Sequence, residues 1–123
     1  MQRDMDVVRR IALETADMEF GYRLTGIDDV DQTTFAMHAL WMVEAGLIKA
    51  HITEYGDNTP PKAQVARLTW EGCEFADAVR SDTVWRKAKE NFIKPAGSFT
   101  FGLLKDWLAQ EIREGFPLLR GGR

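Results

Sequence analysis

Three carboxylates within four positions, Asp28, Asp29 and Asp31, are the densest set of metal-capable oxygens in the 123-residue sequence. Such a cluster can bind a hard cation, but a calcium loop also needs a glycine at its turn and a distal glutamate, and both are missing. The cluster reads instead as the N-terminus of a helix, with Asp31 or a neighbour as its cap. His38 falls among apolar residues and has no second histidine four positions on, so it reads as a packed or half-exposed side chain. Cys73 would need a base to lower its pKa before acting as a nucleophile. Neither His38 nor His51 is placed by the sequence to supply one, and Cys73 reads as a small core residue. Phosphate loops, nucleophile elbows and zinc spacings are also missing. The expectation is a protein without catalytic residues, metal or cofactor.

Cations form the other candidate chemistry. Arg3, Arg9 and Arg10 lie near the N-terminus, and Arg86, Lys87, Lys89 and Lys94 make the most basic stretch. Lys62 stands at the end of a polar loop, Gly-Asp-Asn-Thr-Pro-Pro-Lys, opposed by Glu54 and Asp57. Each set reads as a solvated face or as a contact for phosphate or an acidic partner. The net charge of −3 lowers the expectation of nucleic-acid binding, which draws on neutralised phosphates. It leaves protein partners open.

The elements that must hold these groups follow from periodicity. A first helix over 4–17 places Val8, Ile11, Ala12 and Thr15 on one stripe, with Met5 and Val7 beside it and Asp4 as cap. Phe20, Tyr22 and Leu24 alternate as a short strand that Gly26 breaks. A central helix over 32–45 aligns Phe35, Ala39, Met42 and Val43, extended by Leu40 and Leu47. Gly46 is placed to end it in a left-handed turn.

Two strands, 49–55 and 63–69, then flank the polar loop. Ile48, Ala50 and Ile52 share one side of the first. In the second, Val65 with Arg67 opposes Ala66 with Leu68. Thr69 caps a helix to about residue 80, with Cys73, Phe75, Ala76 and Val79 inward. A helix over 82–92 carries Val84, Ala88 and Phe92, with Trp85 beside the stripe. After the break Lys94-Pro95-Ala96-Gly97, a last amphipathic helix runs to about residue 113. Its apolar residues, from Phe99 through Leu103, Leu104, Trp107 and Leu108 to Ile112, can close the core or pair with the same helix in a homodimer.

Helix, strand, tight connection and strand are the back half of a winged helix. The expected fold is therefore α+β and mostly helical: one winged-helix-like domain over 1–114, with a small hairpin wing and additional C-terminal helices. Residues 115–123 are expected to form a flexible tail. The charged N-terminus lacks the apolar core of a secretory signal. No apolar run reaches the roughly 18–20 residues that span a bilayer. With a single cysteine, these features predict a cytoplasmic protein without membrane contact.

Three motifs carry a family resemblance: Met1, Arg3, Asp4, Met5, Asp6, Val7, Val8 and Arg9; Glu44-Ala45-Gly46-Leu47-Ile48 with Ala50; and the pattern R-L-T-W-E-G-x-E-F-x-D-A-x-R-x-D-x-V-W-x-K-A-K from Arg67 to Lys89. Together they resemble domain of unknown function 2513, a bacterial and phage family, over most of the chain. The resemblance implies a small winged-helix-like protein of prophages and mobile elements, with no catalytic residues to carry over. Cys73 stands where that motif leads one to expect histidine. More loosely, E-A-G-L-I followed by R-L-T-x-x-G is similar to winged-helix transcription regulators, whose helix before G-L-I reads the major groove. That likeness would make Gln32, Thr33, Thr34, Met37, His38 and Trp41 groove-facing.

The candidate contacts for nucleic acid or a partner are accordingly Arg9, Arg10, Thr33, Thr34, His38, Lys62, Arg86, Lys87 and Lys89. Two functions compete. One is a DNA-binding transcriptional regulator of a phage or mobile element. The other is a protein-interaction module without DNA binding, such as a phage-encoded inhibitor of a host defence enzyme. Trp41, Trp70, Trp85 and Trp107 are its candidate anchors, because tryptophan often anchors protein interfaces.

Overall fold

Apolar spacing and capping residues account for the elements of the computed structural model, which describes residues 1–90 and 101–115. Among the described residues, five helices and one two-stranded antiparallel hairpin make an α+β arrangement in which helices dominate. No helix among the described residues is long and apolar enough to cross a membrane. The chain divides into two compact units, Met1–Ala76 and Asp77–Arg123.

In the first unit, α1 spans Met5–Asp17 and buries the anticipated stripe. Its cap is Asp4, whose carboxylate accepts the N–H of Asp6 at 2.9 Å. The segment after it departs from the expected strand. Only Leu24 pairs, exchanging two backbone bonds with Val65 (3.0 and 2.9 Å), while Phe20 and Tyr22 lie exposed in turns. Gly21 has φ +99° and Asp29 has φ +65°. These left-handed residues turn the chain and break the extended run.

Helix α2, Gln32–Glu44, buries Phe35, Ala36, His38, Ala39 and Met42. Its end is a Schellman motif. Gly46 takes φ +79°, its N–H bonds the carbonyl of Val43, and the N–H of Leu47 bonds that of Met42. Glycine suits the left-handed position because it has no Cβ, and Leu47, just beyond it, turns inward.

Strands β1 (Ile48–Thr53) and β2 (Lys62–Leu68) pair antiparallel. The loop 54–61 between them turns at Gly56 (φ +75°) and at an Asx turn, where Asp57 accepts the N–H of Thr59 at 2.7 Å. α1 and α2 both pack on β2.

Thr69 joins β2 to α3 (Trp70–Val79) and ties that joint to the end of α2. Its N–H bonds the carbonyl of Leu47 at 2.9 Å. Its hydroxyl donates to the carbonyl of Gly46 and accepts the N–H of Gly72 at 3.0 Å. A Cβ on Gly72 would stand 1.9 Å from the Leu47 oxygen, so the close approach excludes any side chain. The spacing T-x-x-G is thus explained by packing. It also corrects the expectation for Cys73. Gly72, Phe75, Ala76 and Val79 are buried and Cys73 is exposed, because the inward face is set by Gly72 against Leu47.

In the second unit, α4 (Asp82–Ala88) packs against α5 (Phe101–Gly115). Trp85 and Ala88 are buried on α4, and Leu104 and Leu108 on α5. Trp85, expected beside the stripe, forms its centre, and Val84 is half-buried. Phe92, Phe99, the break at 94–97 and the tail from residue 116 lie outside the described residues.

Candidate nucleic-acid interface

Strand alternation dictates what the hairpin shows to solvent. Ile48, Ala63, Val65 and Leu68 are buried, with Ala50 and Ile52 half-buried on the same side. Period two then sends Lys49, His51 and Thr53 outward from β1. On β2 the alternation is interrupted. Lys49 faces Arg67 but Ala50 faces Val65, so Ala66 is an extra, unpaired residue. This bulge restores Leu68 to the buried side with Val65 and turns Arg67 outward. The simple alternation expected for β2 is corrected here, since one inserted residue reverses every side chain beyond it.

The outward face is therefore three cross-strand pairs: Lys49 with Arg67, His51 with Gln64, and Thr53 with Lys62. It holds three permanent cations and no carboxylate. Lys49 and Lys62 make no ion pair among the described residues. Arg67 uses one guanidinium N–H on the carbonyl of Leu68, 3.1 Å away. Like charges set directly opposite are unfavourable in isolation, so the Lys49–Arg67 pair is not explained by stability of the hairpin.

The loop tip has the opposite sign. Asp57 titrates below the ordinary carboxylate range, because the backbone N–H of Thr59, and then its hydroxyl, stabilise the ionised form. Glu54 is nearby in sequence and exposed. An anionic ligand is favoured along the strands and disfavoured at the tip.

The other candidate contacts are placed differently. Lys62 alone belongs to the hairpin face. Arg10 donates to the carbonyl of Asp28 at 2.8 Å and lies 3.8 Å from Glu14, which braces the turn before α2. Arg9 is half-buried on α1. His38 is 1% exposed and is fully engaged within the chain. Its Nε2 accepts the backbone N–H of Asp4 at 2.8 Å, so Nδ1 carries the proton and donates to the carbonyl of Thr34, also at 2.8 Å. Trp41 meets the ring edge-on at 5.0 Å. His38 thus holds the start of α1 to α2 and is not available at the surface.

Thr34 is spent on the cap of α2, its N–H and hydroxyl both bonded to Asp31. Those bonds, the backbone one foremost, hold Asp31 below the usual carboxylate range. Thr33 is half-buried in the first turn of α2. In the second unit Arg86 and Lys87 are exposed on α4. Lys87 pairs with Glu111 of α5, and Lys89 also has a partner.

Of the acidic cluster, Asp31 caps α2, Asp28 meets Arg10 through its backbone carbonyl and Asp29 takes the left-handed turn, and the described residues hold no cluster of three metal-capable side chains. What sequence reasoning missed was Lys49, Arg67, His51 and Gln64. The signal was present only in part: Lys49, His51 and Thr53 alternate on β1 and Lys62 and Gln64 on β2, but the extra Ala66 puts Arg67 out of step.

Fold and face together define a small α+β protein with a cation-bearing hairpin. The chain belongs to the family described as Hypothetical protein (DUF2513), which it matches over residues 2–98. It is also 34% identical over 92 residues to an uncharacterized protein of Haemophilus influenzae, covering 72% of this chain and 76% of that one. No solved structure matches it.

Proposed function

We propose that the protein is a DNA-binding module of winged-helix type that lays the outward face of its hairpin along the phosphate backbone. The observation that carries this reading is the carboxylate-free set Lys49, Lys62 and Arg67 on one face of the hairpin. The order α2, β1, β2 and the backbone pairing of Leu24 with β2 support the winged-helix assignment. α2 is not the reading element. Beyond Gln32 in its first turn, its outward residues, Thr33, Met37, Leu40 and Trp41, lack the Arg, Lys, Asn and Gln that pair with base edges. Backbone contact with little base readout is the expected mode.

Fluorescence anisotropy with labelled DNA, duplex and single-stranded, at two salt concentrations tests the reading. Binding that weakens as salt rises is expected, because each neutralised phosphate releases counterions. Absence of binding to either form at low salt contradicts it.

A second reading, a protein-interaction module, is favoured by Phe20 and Tyr22, two aromatic side chains exposed in one turn. A partner whose binding is lost in Phe20→Ala/Tyr22→Ala and kept in Lys49→Glu/Arg67→Glu supports it over the first.

A further inference from the structure

Trp70 is 78% exposed, although tryptophan is on average a highly buried residue type. It opens α3 directly after the Thr69 cap. Its backbone is fixed by that cap and by the bond from the Thr69 N–H to Leu47. The indole thus sits on a rigid joint, outside the core. It also stands at the end of the hairpin where Lys49 faces Arg67. Beyond the other end of the cation face, two residues past Thr53, is Tyr55, 45% exposed. The order along the hairpin is aromatic, three cross-strand polar pairs, aromatic.

We infer that the hairpin face takes single-stranded nucleic acid, its phosphates on Lys49, Lys62 and Arg67 and its bases stacked on Trp70 and Tyr55. This rests on the DNA-binding reading and adds the form of the ligand. Bases in a duplex already stack on one another and leave no π-face for an indole. Unpaired bases do, and aromatic stacking beside a basic track is how single strands are held with little sequence preference. The anionic loop tip, Glu54 and Asp57, bars the hairpin from the usual insertion of a basic wing into a minor groove.

The full-length protein is titrated with an oligo(dT) of about 12 nucleotides, within the site sizes of single-strand binders, and with a duplex of equal length. The single strand binds at least about 10-fold more tightly, and Trp70→Ala lowers that affinity by roughly 5- to 150-fold, the range of one lost base stack. Trp70→Phe keeps most of the affinity, since a π-face remains. The strand also quenches tryptophan emission in the wild type and much less in Trp70→Phe. Circular dichroism confirms that the variants fold, as expected for so exposed a side chain.

If the duplex binds as tightly as the single strand, or if Trp70→Ala binds oligo(dT) unchanged, the inference is overturned and the DNA-binding reading survives. If neither form binds at low salt, both fall, and the exposed aromatics belong to a protein interface.

Discussion

The outward faces of the hairpin and of α2 are built from opposite materials. The hairpin shows Lys49, His51, Lys62, Gln64 and Arg67. α2 shows Met37, Leu40 and Trp41 along its middle, with Gln32 and Thr33 at its start and Glu44 at its end, and no cation. Two polar side chains of α2 are consumed within the chain: Thr34 by the Asp31 cap and His38 by Asp4 and Thr34. α2 is a fastening element, and the hairpin carries surface chemistry that its own stability does not require.

Several substitutions separate the fastening role from the surface role. The largest effect is expected at the joint beneath both. Gly72→Ala forces a Cβ against the Leu47 carbonyl and costs about 3 kcal/mol or more in chemical denaturation, because backbone cannot yield as a side-chain end can. Next is His38→Ala, which leaves the Asp4 N–H without its acceptor. It costs about 1–3 kcal/mol, the desolvation penalty of an orphaned buried group. DNA affinity of the folded fraction stays within about twofold of wild type if α2 only fastens.

The hairpin behaves in reverse. Lys49→Glu replaces a like-charge pair with an opposite one across from Arg67. It stabilises the protein by about 0.5 kcal/mol while weakening DNA binding. A gain in both, or a loss in both, breaks the contrast between the two faces.

The smallest effect is at Asp31. Its folded pKa lies below its unfolded value, so the stability it gives is present above the ordinary value of about 3.9 and lost as pH falls below it. Asp31→Ala should therefore unfold at lower denaturant concentration than wild type at neutral pH, with the gap closing on acidification.

How far the sequence foretold this arrangement differs by element. α1 was legible because its apolar stripe and Asp4 cap are local features. The end of α2 was legible because Gly46 and Leu47 fit one known turn. The hairpin was legible as two strands around a Gly- and Pro-rich loop. Its full outward face was not, because the Ala66 bulge adds a residue that period-two reading cannot see. Without the bulge, Arg67 is assigned to the buried side with Val65, and Lys62 looks like an isolated cation.

His38 was read as packed or half-exposed and also as a candidate contact, and the structure keeps only the packed reading. Its partner Asp4 lies 34 residues away, beyond any local pattern. Cys73 was misassigned for a related reason. The inward face of α3 is set by the contact of Gly72 with Leu47, and residue type alone favours cysteine for the core.

The central claim is that the hairpin strands, and not α2, neutralise phosphate. The most direct measurement is the salt dependence of DNA affinity for wild type and for Lys49→Glu/Arg67→Glu, in whichever strand form binds more tightly. With Lys49, Lys62 and Arg67 engaged, the slope of log K against log salt is about −2.7 on a duplex, or about −2.1 on a single strand. In the double variant it falls to below about −1 in magnitude, with the fold intact. An unchanged slope and affinity in the double variant would contradict the account and move the contact away from the hairpin.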